Sequence, residues 1–458
     1  MRRSTSWCGR DFRPHPFRPA GLGLLHGEER SLPGRSQGQP KGLPRPVNRI
    51  CVVSTIVYKP QRSHHCWFSG INTMVRSEAL QQYFLQAEDA ILSSIESLVE
   101  QETPSTDVGR LDSFAEYLCT MFAPIADQAE IIQVPNGGNH VRVQLHAKSP
   151  KLPPILVLTH FDTVWPVGTL EQMPFRQDED GKTYGPAIFD MKSSIAMMEH
   201  IFRAFKDLNL EPNRHVVLLA TADEEVGSTT SMPLLEYEAK RANCVLVPEP
   251  PLPGGVIKTA RKGSRMMDIH IGGIPAHSGL EIEKGVSAIE EAAHQILTLQ
   301  AMTNLEAGLT VNTGIIQGGT NSNVVAPYVD MQVDVRAWTR EDLASAVTRI
   351  QNLSPKLQGT TIQVGSKRGR PPLEESVTLP VFDKAREIAS HLGIDLARGR
   401  TGGGSDGNLT GALGVPTLDG LGVPGAGAHA IHEHIETDQL IPRTWLISEL
   451  ILNLAVDN

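Results

Sequence analysis

The sequence predicts an α/β protein in which a mixed sheet covered by helices is interrupted by a smaller α+β insertion of ferredoxin-like order. Three observations predict it. Apolar runs of strand length, "RVQLHA", "PILVLTH", "HVVLLAT" and "CVLVPEP", are bounded by polar residues. Between them lie stretches whose apolar residues recur at helical spacing, "MKSSIAMMEHIFRAFKDL" and "TSMPLLEYEAKRA". From about Lys258 the order changes to strand, helix, strand, strand, helix, strand, which is the split βαβ unit.

Residues 1–73 stand apart. They carry 12 Lys and Arg against 3 Asp and Glu in a Pro-, Gly- and Arg-rich stretch without periodicity, the composition of a disordered arm. Three origins compete: an artefactual extension ahead of a start at Met74, a transit peptide, or a basic arm for nucleic acid or membranes. The first is preferred, because repeated prolines spoil the amphipathic helix of a transit peptide. Ordered structure is expected to begin with "SEALQQYFLQAEDAILSSIESLVEQ", and residues 78–257 to form the first part of the larger domain.

The insertion is expected over 258–366. Its "MMDIHIGG" alternates, "KGVSAIEEAAHQILTLQAM" is helical, and "TVNTGIIQGG" and "YVDMQVDVRAW" alternate again. "REDLASAVTRIQNL" is helical and "TTIQVGS" closes the series. Residues 367–458 return to Gly-rich loops and helices that complete the larger domain.

Composition excludes several classes. The net charge of −9, with +9 on residues 1–73, leaves −18 on the remainder, which argues against nucleic acid as a partner. Five cysteines with no C-x-x-C fit neither a disulfide framework nor a thiolate metal cluster, and suit a reducing compartment. No apolar run approaches the roughly 18 residues of a membrane helix. "GLGLL" is far shorter than a signal h-region, so the expected location is cytoplasmic, with no membrane partner.

In α/β sheets the chemistry collects at the carboxyl ends of strands. "LTHFDTVWP" ends a strand with His160 and Asp162, on one face of an extended segment because side chains repeat every second residue. That suits a metal ligand and its orienting carboxylate. "YGPAIFDMKSS" sets Asp190 in a Gly- and Pro-shaped loop ahead of a helix, and "VLVPEPP" supplies Glu249. "TADEEVG" places Asp223, Glu224 and Glu225 side by side, and "GVPGAGAHAIHEH" supplies His429 and Glu433. Each has a bland reading as a cap, a turn or a solvated face. Together, two histidines and several carboxylates with no cysteine nearby form the ligand set of a hydrolytic zinc centre. The surplus carboxylates imply two cations about 3.5–4 Å apart sharing a carboxylate and a water. Cations then hold the acids of "TADEEVG" together, one glutamate binding metal while its neighbour stays free to take a proton.

The blocks "HFDTV", "GPAIFDMKSSIA", "TADEEVGS", "PAHSG", "TGGGSDG" and "GAGAHAIHEH" resemble the signature blocks of the M20 metallopeptidases, especially the glutamate carboxypeptidase branch. The resemblance runs from about residue 80 to the C-terminus, in the same order and spacing. It implies a zinc-peptidase-like catalytic domain with an inserted dimerisation, or lid, domain. It implies His160, Asp190 and Glu249 on one zinc and Asp190, Glu225 and His429 on the other, with Asp190 bridging; cobalt or manganese could replace zinc. Asp162 would orient His160, and Glu224 would be the general base. His432 and His434 stand near His429, but the Gly-x-Gly-x-His approach and Glu433 four residues on select His429.

By the same resemblance, His277 of "PAHSG" would reach the active site of the opposite subunit and stabilise the oxyanion, implying a homodimer. Asn323 and Arg336 match positions on the inserted domain that face the substrate. Arg370 of "KRGRPPL" matches an arginine that recognises a terminal carboxylate, for which a planar fork is suited. The glycines of "RTGGGSDG", Gly403 and Gly404 among them, could present N–H groups to an anion. The expected substrate is a small peptide or N-acyl amino acid that releases a C-terminal, glutamate-like residue. Rival readings are an N-acyl-amino-acid or acetylornithine-type deacylase, and an inactive peptide-binding homologue, whose sign would be loss of a ligand or of Glu224. Neither is lost.

Overall fold

The structure, a computed structural model, describes residues 65–367 and 369–456, with side chains from Met74 onward. The segment expected to be disordered thus lies outside the described residues up to position 64. Three helices come first: α1 His65–Gln86, α2 Glu88–Val99 and α3 Val108–Phe122. Helix α1 starts ahead of Met74, so helical backbone begins earlier than the sequence reading places it. The stretch read as one helix over 77–101 is two, broken at Ala87 (φ −96°, ψ 3°). Helix α3 carries no counterpart in that reading. It is capped by Asp107, which accepts from the Arg110 amide at 3.2 Å, and it buries Leu111, Phe114, Ala115, Leu118 and Phe122 as one stripe.

Next come β1 Gln128–Ile132, β2 His140–Leu145, β3 Ile155–His160, β4 Arg176–Gln177, β5 Lys182–Tyr184, α4 Ser193–Asp207, β6 Val216–Thr221, α5 Met232–Ala239, β7 Cys244–Val247 and β8 Ile257–Arg261. The insertion holds β9 Gly263–Gly272, α6 Ala288–Gln300, β10 Thr310–Gly318, β11 Tyr328–Ala337, α7 Arg340–Gln351 and β12 Thr361–Ser366. The chain ends with α8 Glu375–His391, β13 Arg398–Thr401, α9 Asp406–Ala412, β14 Thr417–Asp419, β15 Gly425–Ala426, β16 His434–Glu436 and α10 Leu440–Asn453.

The large sheet has the order β1-β2-β6-β3-β7-β14-β8-β13. Strands β6, β3, β7 and β14 run parallel, while β2 is antiparallel to β6 and β8 to β14. Every residue of β3 and β6 is buried, because helices cover both faces. Ile155 and Val157 point into the larger core with α4 and α10; Leu156 and Leu158 point into a second core with Leu235 and Ala239 of α5, against which Leu409 of α9 packs. That is why β3 opens on the unbroken apolar run "ILVL" rather than on an alternation.

The insertion forms its own four-stranded sheet, β10-β11-β9-β12, with every neighbouring pair antiparallel. In the order of its own strands this is 2-3-1-4, the ferredoxin-like arrangement. Met267, Ile269 and Ile271 of β9 and Val329, Met331, Val333 and Val335 of β11 are buried in a separate core with Ala288, Ala292, Leu343 and Ala346 of α6 and α7. A third sheet, β15-β16-β5-β4, pairs His434 with Tyr184 and so draws the chain around 425–436 against the loop that leads to Asp190. Its strands are too short to leave a periodic signal. Among the described residues no helix is long and apolar enough to cross a membrane.

Candidate metal centre

The parallel strands β3, β6, β7 and β14 end at one edge of the large sheet. His160 and Asp419 are the last residues of β3 and β14, and Asp162, Asp223 to Glu225 and Glu249 follow just beyond the ends of β3, β6 and β7. Asp190 arrives from the side, on a loop in which Ala187 has φ 58° and the peptide between Asp190 and Met191 is cis. His429 also has a positive φ, 61°, after the glycine-rich approach from β15. These residues, far apart in sequence, meet because the sheet places β3, β6 and β7 side by side.

Their donor atoms divide into two groups around Asp190. His160 Nε2 lies 3.0 Å from Asp190 Oδ1 and 3.4 Å from Glu249 Oε1. On the other side, His429 Nε2 lies 3.6 Å from Asp190 Oδ2 and 3.1 Å from Glu225 Oε1. Asp190 therefore turns one oxygen toward each histidine. Ligand atoms of His160, Asp190 and Glu225 all lie within 4.8 Å of one another. Imidazole nitrogens and carboxylate oxygens without thiolate fit a divalent zinc-like cation.

The charges agree with that fit. Burial opposes a charge on His160, yet Asp162, Asp190 and Glu249 raise its pKa well above the ordinary value. The hydrogen bond to Glu225 pushes His429 up to about 9, Asp190 adding to the effect. Burial works against the Asp190 carboxylate, but His160 and His429 hold it below the usual range. Both imidazoles are thus drawn toward positive charge by carboxylates that a bound cation would satisfy instead. Burial also lifts Glu224 well above the usual carboxylate range, with Arg370 and His160 pulling the other way.

Residues 156–453 match the model of peptidase family M20/M25/M40. The chain belongs to that family. It is accordingly a hydrolase. It is 28% identical over 394 residues to carboxypeptidase G2 from Pseudomonas sp. (strain RS-16), a match covering 83% of this chain and 93% of that protein. It is 30% identical over 332 residues to succinyl-diaminopimelate desuccinylase from Dechloromonas aromatica (strain RCB), covering 67% and 85%. Among solved structures it shares the fold of the YXEP protein of Bacillus subtilis, a dinuclear metal binding peptidase from the M20 family, with a TM-score of 0.61 at 16% identity over 80% of this chain and 97% of the other.

Around this family's site the structure adds braces that sequence reading missed or underused. The Asp162 carboxylate accepts from the amides of Glu224 at 3.0 Å and Glu225 at 3.2 Å and from Ser105 Oγ at 2.7 Å. It lies 3.6 Å from His160 Nδ1, whose nearer partner, at 3.0 Å, is the Asp162 backbone carbonyl. Asp162 thus fixes the paired-glutamate turn as well as His160. Fully buried Glu433 accepts from the amides of Ala187, Phe189 and Asp190 at 3.0–3.1 Å and from Trp165 Nε1 at 2.9 Å, bracing the Asp190 loop. Burial pushes its carboxyl up to about 7, against the pull of those donors. Arg261, also buried, reaches Glu249 at 3.4 Å and Asp419 at 2.7 Å. Arg261 ends the short strand β8, IKTAR, which already holds Lys258, so its charge carries no distinctive signal in the sequence.

The residues read as substrate-binding lie in two places. Arg370 is at the centre: its Nη2 stands 2.9 Å from Glu224 Oε1 and its Nη1 2.9 Å from Asp406 Oδ1. Gly404 packs over it, since a Cβ there would lie 3.1 Å from Arg370 Cδ. In the glycine loop it is carbonyls that find partners, those of Gly403 and Gly404 facing Arg261 at 3.4 and 2.9 Å and that of Gly402 facing Arg336 at 2.9 Å. The Gly403 amide faces Thr401 Oγ1 at 3.4 Å and the Ser405 amide Asn408 Oδ1 at 3.0 Å. In this conformation, then, side chains of the flanking β13 and α9 take the Gly403 and Ser405 amides, N–H groups that the glycine-rich segment suggested for an anion. His277 and Asn323 sit together on neighbouring loops of the insertion, the Ser278 amide donating to the Asn323 carbonyl at 3.0 Å; both side chains are exposed.

Proposed function

We propose that this chain is a dinuclear metal-dependent carboxypeptidase that hydrolyses an amide bond and releases a C-terminal, glutamate-like amino acid. The observation that carries the reading is the sharing of Asp190 between the His160–Glu249 and His429–Glu225 groups. In this reading His160, Asp190 and Glu249 would hold one cation and Asp190, Glu225 and His429 the other, with zinc preferred and cobalt or manganese as alternatives. When bound, such cations supply Lewis acidity and lower the pKa of water. Asp162 sets the His160 ring and the amides of the paired glutamates. Glu224, held at one oxygen by Arg370, keeps the other for the proton of the attacking water and passes it to the leaving amine.

In this reading Arg370 and the glycine loop with Gly403 and Gly404 take the leaving residue from the catalytic side, and Arg336 and Asn323 approach it from the insertion; arginine forks match a carboxylate. Residues 78–257 and 367–458 act as the catalytic domain, and 258–366 as the surface through which two copies pair. Exposed His277 then donates to the oxyanion in the second copy's site. Unpaired Cys119 and Cys244 suit a cytoplasmic setting. The likeness to carboxypeptidase G2 supports the carboxypeptidase reading. The likeness to a desuccinylase supports a second one, an N-acyl-amino-acid deacylase using the same site with a different acyl pocket.

The test is amide hydrolysis of a panel of N-acyl amino acids by purified protein, metal-loaded and chelated, beside Glu224→Ala. Metal-dependent release of glutamate, falling by roughly 10²–10⁴-fold in Glu224→Ala, is expected. Preference for N-acetyl-ornithine or N-succinyl substrates would move the assignment to the deacylase. Two metals per chain with no turnover of any member would sink the carboxypeptidase.

A further inference from the structure

The chain crosses between the large sheet and the insertion twice, and the two crossings lie against each other. It leaves the large sheet after Arg261, the end of β8, and comes back through residues 369–373. The Ser264 amide donates to the Arg370 carbonyl at 2.8 Å, and the Lys367 amide to the Met266 carbonyl at 2.9 Å. A Cβ at Gly369 would collide with the Ser264 carbonyl, and one at Gly263 would lie 2.6 Å from the Pro372 nitrogen. The returning segment carries Arg370, whose guanidinium is committed to Glu224, Ser228 and Asp406.

Between this returning segment and α7 there is a cavity of about 500 Å³, within the roughly 300–1,000 Å³ of small-molecule sites. The metal-centre residues take no part in its walls. Arg340, Leu343 and Val347 enter it as one stripe of α7, and Pro371 and Pro372 enter it from the returning segment. Arg265 of β9 lines it as well. In the ladder Arg265 lies opposite Val335, a core residue, so its side chain leaves the face of the sheet that α7 covers.

The two arginines are short of anions. Arg265 Nη1 donates to the Lys367 carbonyl at 3.3 Å and Arg340 Nη2 to the Ala412 carbonyl at 2.8 Å; among the described residues neither has a carboxylate partner. The acids close to them in the chain are engaged elsewhere. Glu374 accepts from the Arg340 backbone amide at 2.8 Å, and Asp342 accepts from Thr339 Oγ1 at 2.7 Å. Glu341 and Asp342 also leave α7 about 100° and 200° round from Arg340, off the stripe. Each guanidinium therefore has further N–H groups for an oxyanion, with aliphatic side chains and prolines beside them.

We propose that this cavity binds a small organic oxyanion, a carboxylate or a phosphate ester carrying an apolar body, and that the occupant ties α7 to the segment carrying Arg370. The site is separate from the metal centre and does not depend on which amide the protein hydrolyses.

The experiment is calorimetric titration of the full metal-loaded chain with phenyl phosphate, benzoate and inorganic phosphate, beside Arg265→Gln and Arg340→Gln. At least one aromatic anion is expected to bind a site that each variant weakens roughly tenfold or more and that added salt weakens further, with metal content unchanged. Tighter phenyl phosphate identifies a phosphate ester as the ligand class, and tighter benzoate a carboxylate. Arg340 is exposed, so its variant keeps the fold if Arg265→Gln does not. Hydrogen exchange in α7 slows when the aromatic anion binds the wild type and does not slow in Arg340→Gln. Equal affinity for the wild type and both variants would place the anion at the metal centre and overturn the proposal. So would no binding of either aromatic anion, inorganic phosphate binding as tightly as both, or unchanged exchange in α7. The hydrolytic reading is untouched by any of these results, since it is decided by metal-dependent turnover.

Discussion

At the scale of single residues, Asp190 can face two histidines only because its loop is held from behind. Glu433 supplies that hold through four N–H donors, three of them the backbone amides of Ala187, Phe189 and Asp190. Glu433→Gln replaces one acceptor oxygen by an NH2 group facing N–H donors. It is expected to weaken metal retention by roughly 10–100-fold while the overall fold persists. Metal content after dialysis against graded chelator checks this, and an unchanged titration would reduce Glu433 to a loop brace. His140 offers a pH signature at a distance from the ligands. Its Nδ1 accepts from the Ala222 amide at 3.2 Å, and burial lowers its pKa below the ordinary 6.5. The folded protein therefore favours neutral imidazole. The stabilisation is complete above about pH 6.5 and is lost as the pH falls from there through the lowered folded value. Denaturant midpoints between pH 8 and pH 5 should fall less steeply in His140→Gln than in the wild type, and parallel curves would refute the assignment.

At the scale of elements, what the sequence made legible follows from packing. Strands β3 and β6, apolar up to their last one or two residues, and β7, apolar throughout, are buried on both faces and easy to read; β9 and β11, covered on one face by α6 and α7, alternate and are easy to read for the opposite reason. The break at Ala87 and the two- and three-residue strands β4, β5, β15 and β16 are invisible, because their conformation is imposed by neighbours rather than by local periodicity. Strand β10 carries a consequence for assembly. It is the edge of its sheet, it shifts register between Thr313 and Ile315, and Ile315 and Ile316 are 49% and 50% exposed on it. An edge strand with exposed isoleucines is a surface that a second copy can extend. If the insertion pairs two copies there, wild-type protein sediments as a dimer and Ile316→Lys shifts it toward monomer; a monomeric wild type would count against pairing.

At the scale of the whole molecule, the sequence by itself determined the kinds of residue in the site, their order along the chain and the two architectures that carry them. Strand ends and turn-forming glycines are local properties, and side-chain periodicity follows from the backbone alone. Tertiary structure decided which of those residues meet. His160, Asp190, Glu225, Glu249 and His429 converge because β3 lies between β6 and β7 and because the pairing of β16 with β5 brings the histidine loop to the Asp190 loop. Tertiary structure also turned Arg370 toward Glu224 and Asp406, and the carbonyls of the glycine loop toward Arg261 and Arg336. Those choices depend on which buried charges must be neutralised once the chain has folded, and no local pattern encodes a partner that lies 36 to 146 residues away.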